Sequence, residues 1–170
     1  MRNYVFVLIA SCTVITLDLV TKALVVDYFQ TGSSIDYLDG FLRMSLVYNQ
    51  GGVFGILQGK KIFFLVLSII VLLLMVIYYI YEKNKNRLFN ASMALIIGGA
   101  VGNITDRLIP DRPGVVDFIS VGVDGIYRWP SFNVADSSIV AGAFLLAVIF
   151  IREERNRKKF KPVDGSGIDQ

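Results

Sequence analysis

Apolar residues fall in four long blocks separated by polar, turn-rich segments. The most uniform block runs from Ile62 to Tyr81 and is interrupted only by Ser68; as a helix it is about 30 Å long, the thickness of a bilayer's hydrocarbon core. Three less uniform blocks flank it, roughly Tyr4 to Val26, Leu88 to Leu108 and Val134 to Ile151. The first holds Asp18 and Lys22, the third ends in Asn103, Asp106 and Arg107, and the fourth opens with Asp136. Between the blocks, Phe41 to Tyr48 reads as a strand, and Val115 to Val123 with Ile126 to Trp129 reads as a hairpin turning at Asp124-Gly125. The pattern predicts an integral membrane α-helical protein: four transmembrane helices with a small extracytoplasmic β-rich region packed at the outer membrane surface.

Composition agrees with this pattern. The chain is 54% hydrophobic and 18% charged, with a mean hydropathy of +0.58, values foreign to a soluble domain of this size. Charge supplies the orientation. Four helices place both termini on one side, where Arg2, Lys83, Lys85, Arg87 and the run Arg152 to Lys161 gather ten of the seventeen basic residues. With their acidic neighbours those segments carry +5 and the remainder −2, so the positive-inside rule makes the termini cytoplasmic. The net charge of +3 then reports topology, and no nucleic-acid partner is implied.

Residues 1–161 form one membrane domain on this reading, and 162–170, with its Gly-Ser-Gly stretch, reads as a disordered tail. Small residues at helical spacing, Ala94, Gly98, Gly99 and Gly102 on the third helix and Ser138 and Gly142 on the fourth, predict close helix contacts that bring Asn103 toward Asp136. Cys12 follows Leu-Ile-Ala-Ser, as at a lipoprotein cleavage site, but the apolar block continues beyond it, so it reads as a small hydrophobe of the first helix.

The chain has no histidine and a single cysteine, which removes Ser-His-Asp and Cys-His machinery and any histidine-bearing metal site. Carboxylates, amides, hydroxyls and guanidinium groups remain. Asp117, in Val-Val-Asp-Phe, and Asp136, in Phe-Asn-Val-Ala-Asp, are the candidates for a pair that shares a proton and activates a water. Asp136 lies in the first turn of its helix, capped by Asn133 or a neighbour, and suits the base side; the apolar neighbours of Asp117 favour its protonated form. The competing reading is that Asp136 only caps a helix and Asp117 only ends a strand. Asp18 and Lys22, at i and i+4, predict an internal pair; at the end of the third helix, either Arg107 with Asn103 one turn below it holds substrate or the catalytic loop, or the adjacent Asp106 and Arg107 form an ion pair that closes the helix.

Five segments then carry a family resemblance: Asp18-Leu-Val-Thr-Lys22, Asn49-Gln-Gly-Gly-Val-Phe-Gly55, Gly102-Asn-Ile-Thr-Asp-Arg107, Val115-Val-Asp-Phe118 and Phe132-Asn-Val-Ala-Asp136. In this order and spacing the chain resembles the lipoprotein signal peptidases, or signal peptidase II. Gly52-Val53 departs from the pair of alanines that members often carry. The resemblance implies an aspartyl endopeptidase of the bacterial inner membrane. It would remove the signal peptide from a diacylglyceryl-modified prolipoprotein just before the lipidated cysteine, without metal or cofactor. It implies a catalytic dyad of Asp117 and Asp136, and substrate-contacting or site-ordering roles for Asp18, Lys22, Asn49, Gly51, Asn103, Asp106, Arg107, Asn133 and Ala135. It also implies membrane lipid as a partner and inhibition by the cyclic peptide globomycin, bound between the dyad and the Asn49 loop. Two rivals use the same charges differently: a Mg²⁺-dependent lipid phosphotransferase with Asp106, Asp117, Asp124 and Asp136 as ligands, and a channel lined by Asp18, Lys22 and Asp136.

Overall fold

The computed structural model describes residues 2–52 and 57–159. The Val53-Phe54-Gly55 part of the glycine-rich segment and the tail 162–170 lie outside the described residues. Four helices, α1 (Arg2–Tyr28), α2 (Lys61–Tyr81), α3 (Arg87–Leu108) and α4 (Val134–Lys159), are each long and apolar enough to cross a membrane. Strands β1 (Ser34–Tyr37) and β2 (Leu42–Asn49) lie between α1 and α2, and β3 (Val115–Val123) and β4 (Tyr127–Arg128) between α3 and α4.

The third helix is the centre of the bundle. It is the least apolar of the four, yet 61% of its spanning window is buried, against 6% for α2. Its small residues explain this. A side chain at Gly98 would run into Val14 of α1, one at Gly99 into Ala135 and Ile139 of α4, and one at Gly102 into Asp18. Gly142 of α4 in turn lies against the Ser92 carbonyl and Ile96. Without a hydrophobic driving force between helices in lipid, such close backbone approach is what holds α1 and α4 to α3. At the far end from the sheet, Val7, Tyr79, Phe89, Met93, Ala94 and Ile149 bring all four helices into one apolar cluster. Asn86 caps α3 by accepting the Phe89 N–H at 2.8 Å.

The strands form one antiparallel sheet in the order β1-β2-β3-β4. The predicted hairpin is present, with Val123 opposite Tyr127 and Gly125 at φ 83° in the turn. The two polar segments, separate in the sequence reading, join through β2 and β3, with Val47 opposite Asp117 and Asn49 opposite Val115. An extra β2 residue between Met44 and Val47 makes a bulge there. Val116 and Phe118 face Val25 of α1, Phe29 just beyond it and Leu46 of β2, seating the sheet on the end of the first helix. Strand alternation therefore turns Asp117 to the opposite face, the side on which Asn49 also lies.

Two boundaries differ from the sequence reading. The fourth helix continues past Ile151 to Lys159, because its charged extension is rich in helix-forming Arg, Glu and Lys and adds a Glu154–Lys158 pair at i,i+4. Strand β1 was not predicted. It is four residues long, largely exposed, and exists through its pairing with β2.

Candidate active site

Four polar side chains from α1 and α3 make the floor of the site. Lys22, only 1% exposed, lies 2.7 Å from Asp18 Oδ2, 2.8 Å from Asp106 Oδ2 and 3.1 Å from Asn103 Oδ1. The predicted Asp18–Lys22 pair is therefore present, and it also reaches the third helix. Asp106 is not paired with its neighbour Arg107. Adjacent helical residues point about 100° apart, so Asp106 faces Lys22 and Arg112 while also accepting the Val116 N–H at 3.2 Å. Arg107 turns the other way, donating to the Asn103 carbonyl at 3.1 Å and the Gly51 carbonyl at 3.3 Å.

The start of α4 closes over this floor. Asn133 caps the helix by accepting the Asp136 N–H at 2.8 Å, and Asp136 accepts the Asn133 N–H at 3.3 Å, a reciprocal capping box. The next free helical N–H, on Ala135, donates to Asp18 Oδ1 at 2.9 Å. A carboxylate of α1 thus satisfies the positive end of α4 and fixes where that helix begins.

Asn133 also joins the two candidate carboxylates. Its Nδ2 donates to Asp117 Oδ1 at 2.7 Å and lies 3.1 Å from Asn103 Oδ1 and 3.2 Å from the Val116 carbonyl. Asn103 Nδ2 donates to Asp136 Oδ1 at 2.7 Å. From the other side Asn49 Nδ2 donates to Asp117 Oδ2 at 3.0 Å, while Asn49 Oδ1 accepts the Gly51 N–H at 3.0 Å. All eleven residues singled out in the sequence thus fall in one connected cluster at the sheet end of the bundle.

Asp117 is 2% exposed. Burial, and after it the charge of Asp136, pushes its pKa up to about 7; the Asn49 and Asn133 donors and the charge of Lys22 oppose that rise only in part. This is the setting expected of a group that exchanges a proton near neutral pH.

Two residues of the cluster were missed in the sequence. Arg112 neutralises the outer oxygen of Asp106, and Gln58 donates to Asn49 Oδ1 at 3.4 Å while accepting the Gln50 N–H at 3.2 Å. Neither stands in a recognisable motif; Arg112 meets Asp106, in the last turn of α3, only through the turn at Asp111, which the sequence does not announce.

The alternative metal set is not brought together. Asp124 lies at the sheet's distal tip with Arg43 and Arg128, which hold its carboxyl below the usual range, and Asp106 is occupied by two cations. Nor do the charges line a path through the bilayer, since Asp18, Lys22 and Asp136 converge at one end.

Residues 10–152 match the family described as signal peptidase (SPase) II. A lipoprotein signal peptidase of Halalkalibacterium halodurans is 40% identical over 153 residues, covering 90% of this chain and 96% of that protein. One of Bacillus pumilus is 37% identical over 91% of this chain and 97% of its own length, and one of Staphylococcus aureus is 35% identical over 86% and 88%. Two solved structures of a bacterial membrane enzyme are similar, both 32% identical: one has a TM-score of 0.81 and covers 94% of each chain, the other 0.74 over 85% of this chain and 92% of that one. The likeness runs through every element that carries the buried carboxylates, and the chain belongs to the signal peptidase II family, whose members are peptidases that process prolipoproteins.

Proposed function

We propose that the protein is an aspartic endopeptidase that cuts the signal peptide from diacylglyceryl-modified prolipoproteins immediately before the lipidated cysteine, with Asp117 and Asp136 as its catalytic pair. The observation that carries this reading is Asn133: its amide donates to one carboxylate and its backbone N–H to the other, so the pair is held by a single residue at the start of α4.

Charge supports a shared proton. Asp18, Asp106, Asp117 and Asp136 stand against Lys22, Arg107 and Arg112, so the cluster is neutral when one proton is added. A water between the two carboxyl groups would attack the scissile carbonyl as the ionised carboxylate takes its proton. The protonated partner would hydrogen-bond the carbonyl oxygen, and a proton would pass to the departing amine as the C–N bond breaks, returning the pair to one proton. Arg107 and Asn49 would hold the Gly51 segment beside the reacting bond, a positioning role. Asp18, Lys22, Asp106, Asn103 and Ala135 would keep the pair in register.

The basic loop and tail support a bacterial inner-membrane placement with cytoplasmic termini and the site near the outer face, where the substrate's lipid chains can stay in the bilayer. Globomycin would compete with substrate there. The test is a gel-shift assay on purified protein with lipidated and unlipidated precursors, with and without chelator. Asp117→Asn and Asp136→Asn should each abolish cleavage of the lipidated precursor while leaving the protein folded, and chelator should have no effect. Near-normal turnover by either variant would overturn the assignment.

A further inference from the structure

We infer that Arg112 is a positioning residue for hydrolysis: by neutralising Asp106 from the α3–β3 link, it fixes the strand that bears Asp117 and sets the proton affinity of the catalytic pair. This rests on the Asp117–Asp136 reading above and extends it to a residue that touches neither aspartate.

The link between α3 and β3 is tightly constrained. Pro110 and Pro113 bracket Asp111, whose φ of 62° lies in the left-handed region, so the chain turns sharply there. That turn brings the Arg112 guanidinium onto Asp106, in the last turn of α3, and leaves the side chain 19% exposed. The Arg112 carbonyl meanwhile accepts from Lys61 Nζ at 2.6 Å, at the first residue of α2. Arg112 is therefore held at both ends. Close after it, Gly114 lies so near the backbone of Asn49 and Gln50 that a Cβ there would collide with them. The link thus abuts the segment whose Asn49 donates to Asp117.

Asp106 passes this restraint on to β3. One oxygen takes Arg112; the other takes Lys22 and the N–H of Val116, the residue before Asp117. Charge points the same way. The groups facing this region are Asp18 and Lys22 from α1, Lys61 from α2, Asp106 and Arg107 from α3, Asp117 from β3 and Asp136 from α4. Within the fully buried part, Lys22 alone cannot balance both Asp18 and Asp106, each 0% exposed. Arg112 supplies the missing positive charge. Without it, a net negative charge lies beside the pair and makes its protons harder to remove.

The test is the pH dependence of cleavage by the full-length protein, in detergent with a lipidated precursor, for Arg112→Gln and Arg112→Lys. In the glutamine variant the whole profile should move to higher pH by about 0.5–1, with kcat reduced and KM little changed; the lysine variant should return it toward the parent profile. A profile that superimposes on the parent overturns the proposal, as does a loss of folded protein in both Arg112→Gln and Arg112→Met, which would make the residue a structural ion pair. Asp117→Asn and Asp136→Asn in the same assay separate the two readings. Cleavage by either defeats the pair itself, whereas inactive asparagine variants beside an unmoved glutamine profile defeat only the role of Arg112.

Discussion

Replacing Asp117 by asparagine should stabilise the protein increasingly as pH rises. In the folded protein the Asp117 carboxyl sits at about 7, against an ordinary value of 3.8. Because the folded value is the higher one, the folded state holds this proton more tightly. Its contribution is fully present below about pH 4 and is lost as pH climbs through 7. A tenfold difference in proton affinity corresponds to about 1.4 kcal/mol, so Asp117 costs the fold about 2 kcal/mol at pH 5, where the carboxyl must take up a proton on folding, and about 4 kcal/mol at pH 8, where it is buried ionised. Asparagine carries no such cost. It does set one amide against the Asn49 or Asn133 donors, a penalty of about 1–3 kcal/mol that does not vary with pH. The difference in melting temperature between Asp117→Asn and the parent should therefore move in favour of the variant by roughly 5–10 °C between pH 5 and 8. Melts in bicelles, followed through the single tryptophan, Trp129, would measure it. A difference that is flat with pH, or that moves the opposite way, would refute the buried, proton-holding environment ascribed to Asp117.

Two further outcomes follow from the floor of the site. Lys22→Met removes the cation between two fully buried carboxylates and should destabilise the protein by about 3–5 kcal/mol, seen as a large drop in melting temperature and in yield of folded protein; an unchanged melt would mean that the buried charges are not mutually dependent. Gly102→Val places a Cβ 2.5 Å from Asp18 Oδ2 and should cost about 1–3 kcal/mol by overpacking, with cleavage falling further than stability because Asp18 also holds Ala135; equal activity per folded molecule would contradict that link.

The helices were legible because a bilayer demands long apolar runs, and the only span to outrun its prediction substantially, α4, does so where hydropathy falls but helix propensity stays high. The capping role of Asn133 was legible too, since an Asn three residues before an Asp at the head of an apolar run is a local signal. The pairing of β2 with β3 was not. It joins segments separated by the whole of α2 and α3, and alternation within one strand does not name its partner. For the same reason Arg112 escaped notice: its significance lies in meeting Asp106, and only the turn at Asp111 shows that it does.

The Asp18–Lys22 pair also bears on how the chain is made. These two charges leave the ribosome ahead of their partners, in a helix that has to partition into lipid long before those partners exist: Asp106 lies 84 residues beyond Lys22, and Ala135 lies 117 beyond Asp18. An isolated lysine or aspartate at membrane depth opposes insertion by about 3 kcal/mol. At i and i+4, 2.7 Å apart, the two carry each other's counter-charge within one helix and can enter the bilayer as a neutral unit. The pair is then a provision for biogenesis as well as for the finished site: α1 can wait in the membrane, self-neutralised, until α3 arrives to accept from Lys22 and α4 to donate to the free oxygen of Asp18.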